Sequence, residues 1–245
     1  MNNDEKLKDS VIKDYSTGQR FEYAAAIDRG LSDFEKDLIE KYVKIDNACI
    51  LVLGCGGGRE SFALRKKGFK VFGLDINNKL ISSAVEKSRE LNLNVEFVVG
   101  DMCSLPYTNN FFDYILVLEQ SIGHVPRKLN RIKALEECYR VIKEGGNLIF
   151  STYYRYSNVK RALYLTFLDG LRFINKCLFS PFKALEYSDW KIKNKGYVNM
   201  PSQRRTMSEI TQTKFNIVEI LIEPGRRNSF FVCSKTKLEE TLDHG

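Results

Sequence analysis

The segment Ile50-Leu51-Val52-Leu53-Gly54-Cys55-Gly56-Gly57-Gly58-Arg59-Glu60 constrains this chain more than any other. Its apolar start, β-branched at Ile50 and Val52, is bounded by Asp46-Asn47 before it and glycines after it. A short continuous apolar run between turn residues predicts a strand buried on both faces, as in a parallel sheet. The glycines predict a tight turn, and Arg59 to Lys67 has a helical pattern with Phe62, Ala63 and Leu64 facing inward. Strand, glycine turn and helix in that order is the layout of a nucleotide-cofactor site. Missing side chains let a flat ligand lie against the backbone, and the helix N-terminus offers free N–H groups.

Lys70 to Leu74 reads as a second strand, ending in Asp75, 21 residues after Gly54. A carboxylate there can accept from both hydroxyls of an adenosine ribose, which suits NAD as well as other adenosyl cofactors. A dinucleotide fold requires Gly or Ala five positions after Gly54, for close helix–strand packing, and this chain has Arg59. The spacing is G-x-G-x-G, and the dinucleotide alternative loses ground.

From Ala48 onward strands and helices alternate regularly, which predicts a doubly wound α/β sheet. A helix is expected over Lys79 to Leu91, with Leu80, Ala84, Val85 and Leu91 inward, then a strand over Val95 to Val99. Phe112 to Leu118 reads as the fourth strand. Arg127 to Ile142 reads as a helix stopped by Gly145-Gly146, and Asn147 to Thr152 as the fifth strand. Thr206-Met207-Ser208-Glu209 has the form of a capping box opening a helix to about Thr213. Phe215 to Ile222 and Ser229 to Ser234 close the sheet through Glu223-Pro224-Gly225. Ahead of the sheet, Ser32 and Glu35 form another capping box, and Phe34, Leu38 and Tyr42 follow at helical spacing.

Several stretches together resemble the successive cofactor motifs of the class I S-adenosylmethionine-dependent methyltransferases. They are Gly54-Cys55-Gly56-Gly57-Gly58, Gly73-Leu74-Asp75-Ile76 and Gly100-Asp101-Met102-Cys103-Ser104-Leu105-Pro106. Arg140 to Leu148 is similar to that family's helix, Gly-Gly turn and fifth strand. The resemblance covers Ile50 to Thr152. It implies a Rossmann-like sheet of seven strands, the last antiparallel, with helices on both faces. It also implies S-adenosylmethionine as cofactor, held by Gly54, Cys55, Gly56, Gly58, Asp75, Ile76, Asp101, Met102 and Glu119. Asp75 would take the ribose hydroxyls, and Asp101 with Met102 the adenine. Val52 departs from the family, which usually has an acidic residue there, near the methionine moiety of the cofactor.

By the same resemblance, residues 1–45 form an N-terminal helical lid, in which Tyr15 or Arg20 meets the cofactor carboxylate. A surface helix whose aromatics simply pack on the domain is the open alternative. Residues 46–245 form the methyltransferase domain, with 153–200 inserted as a helical cap. His124 is the only histidine near the end of the fourth strand and is the candidate base. Leu118-Glu119-Gln120-Ser121 lacks the Asn/Asp-Pro-Pro-aromatic motif of the amino-methylating branches, which argues against DNA-adenine and glutamine N-methylation.

Composition limits the partners. Of 245 residues, 43% are apolar, enough for a sizeable core, and no apolar run approaches the ~18–20 residues that span a bilayer. The first fourteen residues lack the apolar segment of a signal peptide. Six cysteines with no CxxC pairing, beside two histidines, have no metal-site spacing and read as free thiols of a cytoplasmic protein. Residues 153–208 hold eleven Lys/Arg against three Asp/Glu, a net of +8, interleaved with aromatics. That composition suits an anionic or nucleobase-bearing partner, or equally a cap whose aromatics are its own core. The expectation is methyl transfer to a small-molecule acceptor. Two alternatives stand beside it: a tRNA wobble-uridine-like methyltransferase, and an inactive S-adenosylmethionine-binding partner protein.

Overall fold

In the computed structural model, β1 (Cys49–Leu53) sits at the centre of a seven-stranded sheet, and its sequence explains why. Successive side chains of a strand point to opposite faces. Ile50 and Val52 pack into one apolar cluster and Leu51 and Leu53 into another, so both faces need a helical layer. The structure describes residues 3–153, 163, 164, 167, 189–191, 197–225 and 228–236.

On the first face lie α3 (Asp33–Tyr42), α4 (Arg59–Lys66) and α5 (Asn78–Glu90), contributing Leu38, Phe62, Leu64 and Ile81. On the second lie α6 (Lys128–Val141) and α7 (Gln203–Ile210), contributing Leu135, Cys138 and Ile210. The other strands of the sheet are β2 (Lys70–Asp75), β3 (Glu96–Val99), β4 (Phe112–Val117), β5 (Ile142–Tyr153), β8 (Asn216–Ile222) and β9 (Asn228–Ser234). Their order is β3-β2-β1-β4-β5-β9-β8, parallel except for β9, which runs antiparallel to both β5 and β8. This is the expected seven-stranded class. The strand order reverses between β1 and β4, and ligands of open α/β sheets bind outside the carboxyl ends of the strands at such a reversal.

Two further helices precede the sheet, α1 (Asn3–Asp14) and α2 (Gly18–Ala25). Leu7 and Val11 of α1, with Tyr15 just past its end, recur at i, i+4, i+8 and pack on Tyr197 of β7 (Tyr197–Asn199). That strand pairs with β6 (Asp189–Lys191) in a separate hairpin. The capping box at Ser32 forms as expected, each of Ser32 and Glu35 bonding the other's backbone N–H. No helix of the described residues is long and apolar enough to cross a membrane.

Three local expectations are corrected. Gly145-Gly146 do not stop the helix, because α6 ends at Val141 and the strand begins at Ile142. The two glycines instead sit in an irregular stretch of β5 opposite β4. A Cβ on Gly146 would lie 2.5 Å from the Asp113 carbonyl oxygen, so only glycine fits. Thr206 is not a cap: the helix begins at Gln203, and Thr206 Oγ1 donates back to the Ser202 carbonyl. Glu209 is needed elsewhere, since it is buried and receives two hydrogen bonds from Arg131 of α6, at 3.0 and 2.7 Å. Leu91 lies beyond the last turn of α5 and is 38% exposed, whereas Leu80 and Ala84 are buried.

The expected cap over 153–200 falls mostly outside the described residues, as do Tyr154, the Trp190 side chain, Lys193 and Lys195. Within it, residues 163, 164 and 167 are helical and exposed.

Candidate cofactor and acceptor site

A cavity of about 380 Å³ opens at the reversal point, within the ~300–1,000 Å³ usual for small-molecule sites. Its floor is the glycine turn after β1. Gly54 and Cys55 both donate to the Leu74 carbonyl, at 2.8 and 3.2 Å, which locks the turn to β2. Gly54 and Gly56 adopt positive φ. A Cβ on Gly54 would strike the Ser121 side chain at 2.5 Å, so the turn can approach its neighbours only as glycine. Gly54, Cys55 and Gly56 line the cavity, whereas Gly58 does not. Gly58 is the left-handed residue before α4, and a Cβ there would meet the rings of Phe62 and Phe97.

Asp75 ends β2 and faces the same space. Its Oδ2 accepts from the Gly56 N–H at 2.9 Å and its Oδ1 from the Asn77 N–H at 2.8 Å. Burial pushes its carboxyl up, and hydrogen bonds from the backbone of Asn77, Gly56 and Ile76 oppose this. A carboxylate has about four acceptor positions, so capacity remains for ligand hydroxyls. Ile76, Asp101 and Met102 line the adjoining wall.

Asp101 has protein partners at both carboxylate oxygens. Its Oδ1 accepts from the Cys103 N–H at 2.9 Å, and its Oδ2 is bonded by Lys8 of α1. Burial alone would raise this carboxyl, but the hydrogen bond and charge of Lys8 outweigh it and hold it below the usual range.

Beyond β4 the chain turns sharply, with Glu119 and Gln120 both at positive φ. Two consecutive non-glycine residues in that region cost about 1–3 kcal/mol each and need external support. The support is visible. Gln120 N–H donates to Ser151 Oγ at 2.9 Å, and its side chain donates to Asn228 Oδ1 at 2.5 Å. Glu119 accepts from the Tyr23 hydroxyl at 3.0 Å and lies 3.4 Å from Arg59. Arg59 is buried and bonds Glu35 through both terminal nitrogens at 2.9 Å, and Glu60 at 2.5 Å. Burial disfavours its charge, yet these carboxylates more than compensate and raise its pKa.

Val52 is 1% exposed within the apolar core and does not reach the cavity. The acidic side chains that line the cavity beside Arg59 are Glu60 and Glu119.

The 3-10 turn Ser121–His124 adds His124 to the lining of the same cavity. Its Nδ1 lies 2.9 Å from the Tyr197 carbonyl, which can only accept, so that nitrogen carries the hydrogen. Nε2 is then an acceptor, and the Tyr15 hydroxyl donates to it at 3.2 Å. Burial lowers the pKa of His124, opposed in part by the Tyr197 bond. Burial likewise pushes Tyr15 up to about 12. Both rings line the cavity with Arg20, whose guanidinium bonds Asp14 at 2.6 Å.

Eleven of the residues expected at the site line the cavity, and α1 adds Lys8, Val11 and Ile12, which were not expected there. The signal was the i, i+4, i+8 spacing of Leu7, Val11 and Tyr15. Asn77 was also missed. It caps α5 through Oδ1 and, through Nδ2, donates to the Ile12 carbonyl and Ser16 hydroxyl, both at 3.2 Å.

Residues 50–146 match a family model described as a methyltransferase domain. The ubiquinone biosynthesis O-methyltransferase of Coxiella burnetii is 36% identical over 126 residues, 51% of each chain. The demethylmenaquinone methyltransferase of Oceanobacillus iheyensis is 37% identical over 99 residues, 39% of this chain and 40% of that one. The chain thus spans about half the length of the curated relatives it matches, or less. Among solved structures, a SAM-dependent methyltransferase from Methanosarcina mazei superposes with a TM-score of 0.67 at 22% identity. The match covers 84% of this chain and 99% of that one, and at this identity it speaks for the fold. The matched stretch, residues 50–146, is the one that holds the glycine turn, Asp75 and Asp101.

Proposed function

We propose that this protein is an S-adenosylmethionine-dependent methyltransferase acting on a small-molecule acceptor by in-line displacement. The observation that carries the reading is one cavity at the strand reversal whose lining includes the glycine turn, Asp75 and His124. When bound, S-adenosylmethionine supplies an electrophilic methyl group and a thioether leaving group, so the protein chiefly has to align the acceptor. Such alignment is worth roughly 7–11 kcal/mol.

In this reading Asp75 accepts from the ribose hydroxyls, and Gly54, Cys55 and Gly56 let the nucleoside lie against the backbone. Asp101, Ile76 and Met102 recognise the adenine. Glu119 and Glu60, beside Arg59, meet the amino-acid end, the part that Val52 cannot serve. Arg20 faces the cavity and is the candidate for a carboxylate, although its Asp14 partner would have to share it. Helix α1 acts as the lid, tied down by Lys8 to Asp101 and by Asn77 to the Ile12 carbonyl. The volume and the cover of α1 favour a small acceptor. The relatives' names, which concern ubiquinone and menaquinone biosynthesis, support the same choice. The +8 of residues 153–208 supports the competing tRNA-type acceptor, and an inactive cofactor-binding protein is the remaining alternative.

Calorimetry tests the cofactor half directly. S-adenosylmethionine should bind more tightly than NAD. Tighter binding of NAD would overturn the reading.

A further inference from the structure

The geometry points to a proton relay from acceptor to Tyr15 to His124, which makes the acceptor atom of this site a hydroxyl oxygen. This rests on the methyltransferase reading above and goes beyond it by naming the class of acceptor.

Three contacts carry the argument. The Tyr197 carbonyl, on the β6–β7 hairpin, takes the hydrogen of His124 Nδ1 and so leaves Nε2 with a lone pair that can accept. The Tyr15 hydroxyl donates to that lone pair. Tyr15 also borders the cavity, so its own oxygen lone pairs are available to a ligand hydroxyl. The two rings meet edge to face with centroids 5.3 Å apart, an arrangement that holds the hydroxyl in place.

The step balances. The acceptor O–H gives its proton to the Tyr15 oxygen while Tyr15 gives its own proton to Nε2. The acceptor oxygen forms a bond to the methyl carbon as the carbon–sulfur bond breaks, and that electron pair stays on sulfur. His124 is left as an imidazolium, still donating through Nδ1 to Tyr197, and returns its proton to solvent.

Alternative nucleophiles fit less well. A neutral amine or a thiolate brings its own lone pair and needs no relay. A protonated amine would need a free carboxylate close by. The charged and titratable groups around the pair are Asp14 of α1, Arg20 of α2, Tyr153 of β5 and, on the Tyr15 side, Asp75. Asp14 is spent on Arg20, whose positive charge repels an ammonium ion. Burial keeps Tyr15 protonated and His124 neutral at pH 7, the states from which the relay starts.

Helix α7 reaches the relay indirectly. The Tyr197 hydroxyl is 3.4 Å from Arg131 and 3.3 Å from the Arg127 N–H, and Glu209 holds Arg131. Arg131 and Glu209 are therefore positioning residues.

The chain has only two histidines, so imidazole nitrogen NMR reads His124 with little ambiguity, and His244→Asn removes the other signal. At pH 7 the free protein should have a neutral His124 with its hydrogen on Nδ1. Tyr15→Phe should move the Nε2 resonance. A charged ring, a hydrogen on Nε2, or no response to Tyr15→Phe overturns the relay. The acceptor class is read by incubating the protein with carbon-13 methyl-labelled S-adenosylmethionine and the small-molecule fraction of a cell extract. The product methyl should resonate as an O-methyl group. An N-, S- or C-methyl product overturns the proposal while leaving methyltransferase activity intact. Failure of S-adenosylmethionine to bind in calorimetry strikes the functional reading instead. Tyr15→Phe and His124→Gln should each lower kcat about 10²–10⁴-fold without changing cofactor affinity. With the wild type, kcat/KM should fall only below the ordinary histidine range as pH drops, and His124→Gln should lose that dependence.

Discussion

At the scale of single residues, Asp75 and Val52 make opposite predictions from neighbouring strands. Asp75 faces the cavity and already accepts from Gly56 and Asn77. Asp75→Ala should keep the fold and weaken S-adenosylmethionine binding about tenfold to a hundredfold, since a hydrogen bond to a charged group contributes ~1.5–3 kcal/mol. Calorimetry giving wild-type affinity would remove Asp75 from the site. Val52 looks like a lost cofactor contact when only the motif is read, and on that view Val52→Asp should keep or improve affinity. The structure closes Val52 inside the core between Gly73 and Leu116. A carboxylate there has no partner, so Val52→Asp should destabilise by more than about 3 kcal/mol, seen as a lowered urea midpoint. A stable variant with tighter cofactor binding would restore the motif-based view.

At the scale of elements, Arg131 of α6 and Glu209 of α7 join two helices through a buried bidentate pair. Removing one partner of such a pair costs about 3–5 kcal/mol, because the other charge stays buried. Glu209→Ala should therefore lower the melting temperature by about 6–20 °C for a chain of this size. An unchanged Tm would mean the pair is solvated in solution. These elements also explain what could be read from sequence. Strands β1 to β4, α4 and α5 were legible because each combines an apolar period with a glycine, Asn or Asp boundary. The turn that carries Asp75 was legible for the same reason. The Thr206–Glu209 pattern misled because both residues lie inside the helix, where Glu209 serves a tertiary ion pair instead of a cap. Gly145-Gly146 misled because their need for glycine comes from the Asp113 carbonyl across the sheet, which no local window contains. Helix α1 was missed as an element, since its charged residues hide an apolar stripe of Leu7, Val11 and Tyr15. The relay escaped notice because Tyr15, His124 and Tyr197 lie 109 and 73 residues apart and meet only through tertiary packing.

For the whole molecule, the question is which kind of acceptor the charge and the cavity serve. Nucleic-acid binding releases counterions, giving a slope of log affinity against log salt of roughly −0.7 to −0.9 per phosphate contacted. The chain carries a net +7, so weak binding to RNA at low salt is expected from composition alone. Binding to bulk tRNA should therefore be weak, and replacing Lys191, Lys193 and Lys195 together should leave methyl transfer intact. If those lysines grip RNA as part of the reaction, the same triple replacement should flatten the salt slope by about two to three units and abolish transfer.

The central claim is that the cavity between β1 and β4 moves a methyl group from S-adenosylmethionine to a small molecule. Incubation with methyl-labelled S-adenosylmethionine and a cell extract, separated afterwards into small-molecule and RNA fractions, tests it most directly. The label should enter the small-molecule fraction with wild-type protein and fall sharply with Asp75→Ala. Label concentrated at one tRNA position, together with a steep salt slope for tRNA binding, would contradict it.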